Sequence, residues 1–310
     1  MKLVASFLYL AAVVLALPAQ KRQECASISE RKEWRSLTQD QRNQFHQAVK
    51  CLQTKPSNKD GQSLFDRYSS LHVDMFGDIH YVAAFFPWHR YYMKARETSL
   101  QECGYQGPIP YWDWTIDANN MQKSEMFNPT TGFGGNGSGR DHCVKDGPYG
   151  TQSNFSIAYP EARCLQRNFN MNSRWGLGGS QHSSAAIDAI MQNTDFAKFE
   201  QSVEEGPHDA VHNEIAGDMA AAFSPDDTMF FLHHCNVDRL WALWQGRNTT
   251  RLQAYRGNTV QGQNDDDGSR YPLATLDDTI SLAGLQGMPD LKVRDIMDTT
   301  SGALCYKYDQ

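Results

Sequence analysis

Hydrophobic positions recur at helical spacing in several blocks of the chain. Thr38-Gln-Asp-Gln41 is a capping-box pattern, after which Phe45, Ala48, Val49 and Leu52 share one helix face, so Ser29 to Leu52 reads as helical. The same period predicts helices over 63–76, 88–102, 183–203, 208–222 and 226–245. Pro56 to Gly61 reads as a loop. Residues 115–180 are different: the run TGFGGNGSG, several Pro and Asn, and little periodicity predict long ordered loops. From residue 246 the pattern is again irregular, with NDDDG as a solvated turn. No internal repeat is visible. The expected fold class is mostly α, a helix-bundle core with long irregular connections.

Composition supports a packed globule: 310 residues, 40% hydrophobic, with 15 Phe, 13 Tyr and 7 Trp, are enough to bury a sizeable core. Lys2 followed by the apolar run Leu3 to Leu17 reads as a secretory signal, and Lys21-Arg22 as a dibasic processing site. The expected organisation is residues 1–22 as signal and pro-site and 23–310 as a single catalytic domain. The apolar run is short for a membrane span. Net charge is −7, and residues 1–22 hold three basic groups and no acids, so the mature chain would carry −10. That acidity argues against nucleic acid or an anionic membrane as partner. Sequons at Asn136, Asn154 and Asn248 agree with export and glycosylation. Seven cysteines leave one thiol over. Cys235, inside an apolar helical stretch, is expected to be that buried free thiol, and the other six could form three disulfides whose pairing the sequence leaves open.

Six histidines carry the candidate chemistry. His72, His80 and His89 form one triplet and His208, His212 and His234 the other. Three neutral imidazoles can hold one borderline metal ion and leave a position open, so two triplets predict two adjacent metals. His208 and His212 are four apart, which on a helix is about 6 Å along the axis and about 40° around it, so both rings can converge. An isolated HxxxH is more often two ordinary histidines. The first triplet cannot lie on one helix, because its spacings would separate the rings by roughly 12–13 Å. Gly77 and Pro87 are the expected breaks, placing His72 on one helix, His80 on a connecting loop and His89 in the first turn of the next. His233 and His234 face about 100° apart, so only one is expected to face a metal. Asp238 could orient a ligand or pair with Arg239.

The phrases FFPWHRYY, IPYWDWT, GPHDAVHNE and FLHHCNVDRLW resemble, in order and separation, the two copper motifs of type-3 copper proteins: tyrosinases, catechol oxidases and haemocyanins. The resemblance covers most of residues 30–308. It implies a tyrosinase-like fold around a binuclear site, with His72, His80 and His89 on one copper and His208, His212 and His234 on the other. His234 is chosen over His233 because the family's ligand lies four residues before the Asp. Tyr306-Lys-Tyr308 resembles the Tyr-x-Tyr element that closes the tyrosinase core, and the chain is similar to short secreted fungal enzymes without a C-terminal lid domain. The implied activity is oxidation of a phenolic substrate to an o-quinone with O2. Glu204 matches a position that holds a water beside the coppers, and Ala221 lies near that of a bulky gate residue in some relatives. Phe85, Phe86 and Phe230 are expected to pack around the rings.

Three positions depart from the family pattern. Asp78 stands where some members carry a Cys linked to the second ligand, Asp209 where active tyrosinases often have Asn, and Thr228 where Pro is usual. Asp209 could hold a water or act as a base, and would repel anionic substrates. The leading expectation is a secreted oxidase with two copper ions acting on catechols or o-substituted phenols. The alternatives are the same six-histidine site holding two zinc ions for a non-redox lyase or ring-rearrangement step, with Asp78, Asp209 and Glu204 for acid–base work; a zinc peptidase on the HxxxH frame, which leaves the first triplet without a role; and an oxygen carrier.

Overall fold

The computed structural model describes residues 24–170, 179–263 and 267–309. The expected export signal and dibasic site, and part of the NDDDG turn, lie outside them. Helices dominate: α1 (Gln39–Leu52), α2 (Leu64–Ile79), α3 (Phe85–Glu102), α4 (Ser184–Ile190), α5 (Phe196–Val203), α6 (Asp209–Ile215) and α7 (Met229–Gly246). The capping box is present: the Gln41 N–H donates to Thr38 Oγ1 at 3.3 Å and the Thr38 N–H to Gln41 Oε1 at 2.9 Å. α3 and α7 form the most extensive helix pair, and both are buried over most of their length.

Several boundaries differ from the expectation, each for a local reason. Ser29 to Leu52 is not helical throughout: Ser29–Arg31 is a strand paired in parallel with Tyr306–Tyr308, beside the Cys25–Cys305 disulfide. The block 183–203 splits, because Asp195 takes extended backbone and caps α5 by accepting the Lys198 N–H. The helix expected to reach 222 stops at Ile215, where Ala216 (φ +51°) and Gly217 (φ +59°) turn the chain.

The long region 115–170 is ordered with little regular structure: short 3-10 turns and one two-stranded pairing, Gly137–Ser138 with Cys143–Val144. Buried Arg167 grips Asp227 through Nε (2.7 Å) and Nη2 (2.9 Å), while Nη1 donates to the Gly134 carbonyl at 2.6 Å. A guanidinium can satisfy that many acceptors at once, so one side chain replaces a ladder of backbone bonds. Cys143–Cys164 closes the same region, and Cys51–Cys103 ties the end of α1 to the end of α3. Cys235 is free and buried, as the odd cysteine count predicts.

Asp238 does not pair with Arg239. Arg90 donates to Asp238 Oδ1 at 2.5 Å, Tyr306 and Tyr308 donate to Oδ2 at 2.5 and 2.6 Å, and Arg31 lies 3.5 Å from Oδ2. Arg239 turns to Asn236 and Asp113. The Tyr-x-Tyr element therefore closes the core on a buried charge that joins α3, α7 and both chain-end strands.

Candidate metal centre

Two groups of imidazoles meet between α2, α3, α6 and α7. One ring nitrogen from each of His72, His80 and His89 falls within 4.8 Å of the others, and the same holds for His208, His212, His233 and His234. The groups abut: the His89 and His234 rings stack at 4.3 Å with 14° between their planes.

His72 is on α2. The helix runs through Gly77, which is not the break, and ends at His80, whose backbone is extended (φ −122°, ψ 142°). Tyr81 follows in the left-handed region at φ +55°, and α3 begins at Phe85. Pro87 falls at the third position of α3, where its missing N–H is one that a helix start leaves unpaired. His89 follows, buried. On the other side, Gly206 (φ −98°, ψ −106°) and Pro207 sit in a π-type turn over Glu204–His208. That turn re-aims the chain between α5 and α6, and π-turns are recurrent at functional sites. His208 caps α6 and His212 lies one turn into it, their ring centroids 4.6 Å apart.

Protein carbonyls fix the ring tautomers. Nδ1–H donates to Ala222 O from His72 (2.6 Å), Phe76 O from His80 (3.2 Å), Phe85 O from His89 (2.8 Å), Glu204 O from His208 (3.2 Å) and Met219 O from His212 (2.5 Å). A proton on Nδ1 leaves Nε2 bare in each of these rings, the arrangement that orients metal-ligating imidazoles. The bare nitrogens of His72 and His89 converge, their Nε2 atoms 3.5 Å apart, and His212 Nε2 faces His234 Nε2 at 3.4 Å; His234 Nδ1 is buried without a partner among the described residues, so no carbonyl there fixes that ring's tautomer. Two nitrogens each about 2.0–2.1 Å from one tetrahedral ion lie roughly 3.3 Å from each other. With their protons on Nδ1, His72 and His89 point two lone pairs together, which is favourable only with a cation between them. The donor set fits a pair of borderline metal ions.

His233 lies beside His234 with its ring stacked at 5.4 Å on His208, where only one of the two neighbours was expected. Its Nδ1 accepts from the Trp114 indole N–H at 3.1 Å. Indole only donates, so neutral His233 carries its proton on Nε2 and has no bare nitrogen to offer. No sequence rule signals that tautomer, because it depends on a Trp more than a hundred residues away. His182, fully buried near Trp114 and 3.8 Å from Glu214, was not anticipated either.

Phe85 and Phe230 pack on the rings as expected: Phe85 lies 4.9 Å from both His89 and His208, and Phe230 lies 4.1 Å from His234 and 5.1 Å from His72. Phe86 does not; it stacks between Phe199 and Trp241. Phe76, not anticipated, stacks on His80 at 4.3 Å. Five of the six candidate ligands are buried, and His212 is half-buried together with Asp209, Asn213 and Ala221. The approach to the rings is therefore from the His212 side. A cavity of about 710 Å³ lies next to Glu204, lined among others by Tyr81, Glu200, Glu205, Arg256 and Asn258. No ring of either group lines it, so it touches the centre only through Glu204 and Tyr81.

The carboxyls are set apart. Burial, then neighbouring Glu200, pushes Glu204 well above the usual carboxyl range, although both its oxygens accept the Tyr81 N–H at 2.8 and 2.9 Å. Burial also raises Asp209, but hydrogen bonds from His208 and Tyr81 outweigh it and hold the carboxylate below its usual range. Burial keeps the rings neutral, lowering His72 to about 4 and His212 to about 3. Unfolded histidines take up protons below about pH 6.5, whereas these do so only near their depressed values. Their contribution to stability is thus complete above about pH 6.5 and is lost as pH falls toward 4. In metal-free protein the imidazole proton resonances of His72 and His212 should show no protonation down to about pH 5, and titration of either near pH 6.5 would refute the assignment.

Comparison with known proteins agrees with the geometry. The family model described as the common central domain of tyrosinase matches residues 42–247. The tyrosinase-like protein phomQ1' of Diaporthe leptostromiformis is 35% identical, over 93% of this chain and 81% of its own length. The N-acetyl-6-hydroxytryptophan oxidase ivoB of Emericella nidulans is 31% identical, over all of both chains. The solved structure of a polyphenol oxidase from Thermothelomyces thermophila superposes with a TM-score of 0.74 at 28% identity, covering 91% of this chain and 89% of that one. Six converging imidazoles, a helical core closed by Tyr306 and Tyr308, and these matches lead to one assignment: the chain belongs to the tyrosinase family of type-3 copper proteins.

Proposed function

We propose that this protein is a secreted dicopper polyphenol oxidase that converts catechols or o-substituted phenols to o-quinones with O2. The observation that carries the reading is the pair of imidazole groups in which five of the six candidate rings have Nδ1 tied to a carbonyl and the Nε2 atoms of facing rings approach to 3.4–3.5 Å. His72, His80 and His89 would hold one copper and His208, His212 and His234 the other. Divalent copper outranks zinc for such nitrogen sites. Two relatives described as oxidases of hydroxylated aromatics support the substrate class. Three disulfides are consistent with export, and no helix among the described residues is long and apolar enough to cross a membrane.

When bound, the metals would supply electron transfer between substrate and O2. The chain supplies the rest. Buried rings and the aromatics Phe76, Phe85 and Phe230 exclude water from the inner face of the centre. Asp209, the carboxylate at the rim, accepts a hydrogen bond from the incoming phenolic hydroxyl and orients it. Glu204, buried and bonded through both oxygens to the Tyr81 N–H, positions rather than abstracts. Two diphenols surrender four electrons and four protons to one O2, giving two o-quinones and two waters.

Metal analysis of protein purified without added metal, with oxygen uptake on catechol, is the test. Two coppers per chain and uptake are expected. Two zincs and no uptake would overturn the reading in favour of a non-redox reaction at the same site.

A further inference from the structure

The residue after the second candidate ligand of the first group is held in a conformation that only its surroundings explain. Tyr81 has φ +55°, a region that bulky L-residues rarely adopt. Three bonds hold it there. Its N–H donates to both Glu204 oxygens, its carbonyl accepts from Asn258 Nδ2 at 2.9 Å, and its hydroxyl donates to Asp209 Oδ2 at 3.2 Å. The side chain is otherwise 41% exposed, an exposed aromatic in a chain that buries most of its large apolar side chains. The ring therefore leans from the end of α2 across to the start of α6, over the rim where Asp209, Asn213 and His212 are half-buried.

Asp209 thus has both oxygens engaged. Oδ1 faces His208 Nδ1 at 3.1 Å, and Oδ2 holds the Tyr81 hydroxyl. The first partner is fixed within the fold. The second is a phenol that solvent can satisfy equally well once released, because Tyr81 is so exposed. We propose that Tyr81 is a specificity-determining residue: its phenol occupies the carboxylate oxygen that an incoming phenolic hydroxyl needs, so substrate binds by exchanging one phenol for another on Asp209. This rests on the reading of the centre as a phenol-oxidising site. The exchange selects for ligands that carry a hydroxyl donor, since a ring without one cannot recover the bond it displaces. It also sets a threshold, because weak donors lose the competition with Tyr81.

The sign of one substitution separates this from a merely structural role. Removing the hydroxyl in Tyr81→Phe removes the competitor and keeps the ring and the backbone clamp on Glu204. Affinity of the metal-loaded protein for 4-cyanophenol, a phenol that resists oxidation, should rise about fivefold, the scale of one net hydrogen bond made in competition with water. Affinity for 4-cyanoanisole, the same ring without a donor, should not change. In an Asp209→Asn background, Tyr81→Phe should shift 4-cyanophenol affinity by less than about twofold. Weaker or unchanged 4-cyanophenol binding in Tyr81→Phe would overturn the proposal, as the hydroxyl would then only brace Asp209. Equal gains for both ligands would also overturn it, as the effect would be steric. Absence of phenol binding in either protein does the same. Oxygen uptake on catechol is measured alongside: if the binding pattern holds and uptake is absent, the oxidase reading fails and the exchange stands.

Discussion

Replacing His234 with alanine should remove metal from the second site and abolish turnover, while replacing His233 should leave both metals bound. The neighbours are equally buried and equally close to His208 and His212, so proximity does not separate them. The bond from Trp114 does. It makes His233 accept at Nδ1 and carry its proton on Nε2, whereas His234 has no partner at Nδ1 among the described residues and sets Nε2 against His212 Nε2 at 3.4 Å, the spacing of two ligands on one ion. Loss of a partner that only orients a ligand costs about 10–100-fold in metal affinity, so loss of the ligand itself costs more. Metal content by elemental analysis is expected to fall from two ions per chain to one in His234→Ala, and likewise in His89→Ala. Full content in either variant would disprove that ligand, and loss in His233→Ala equal to that in His234→Ala would show that both neighbours bind.

Why the sequence brought out the candidate ligands but not their surroundings follows from the range of the forces involved. Helix-period spacing puts His208 and His212 together locally, and the breakers near His80 announce that the first triplet cannot share one helix. Which residue breaks the helix was beyond reach: Gly77 continues α2, and the turn comes at Tyr81 because Glu204 and Asn258, distant in sequence, clamp its N–H and carbonyl. Asp238 was read as a possible partner of Arg239, but adjacent residues on a helix point about 100° apart, and buried Arg90 and Arg31, distant in sequence, face the carboxylate instead. Phe86 shares the local pattern of Phe85, yet the helix turns it onto Trp241. Cys235 could be read as free from arithmetic and apolar neighbours alone.

The largest loss of stability is expected at Asp238. Arg90 and Arg31 are fully buried, and their charges are balanced at this one carboxylate and, for Arg31, at Glu97. Burial alone would raise the Asp238 pKa; Arg90 and Arg31 instead hold it below the usual range, so it stays ionised at neutral pH. Its contribution is present above the unfolded carboxyl pKa and is lost only as pH falls below about 3.9. Asp238→Ala would strand Arg90 Nε and two tyrosine hydroxyls in a dry interior, and breaking a buried pair from one side costs about 3–5 kcal/mol. For a chain of this length that is a fall in Tm of about 10 °C. The measurement belongs on metal-free protein, because Arg90 follows His89 and Asp238 lies one turn after His234, so bound metal would hold α3 and α7 together and mask part of the loss. Tyr306→Phe, which removes one donor and no charge, should cost about 1 kcal/mol. A shift in Asp238→Ala no larger than in Tyr306→Phe would mean that the charge is balanced elsewhere. The expected gap between the two variants tests whether one buried carboxylate, rather than the aromatic packing around it, holds the chain-end strands and the ligand-bearing helices in register.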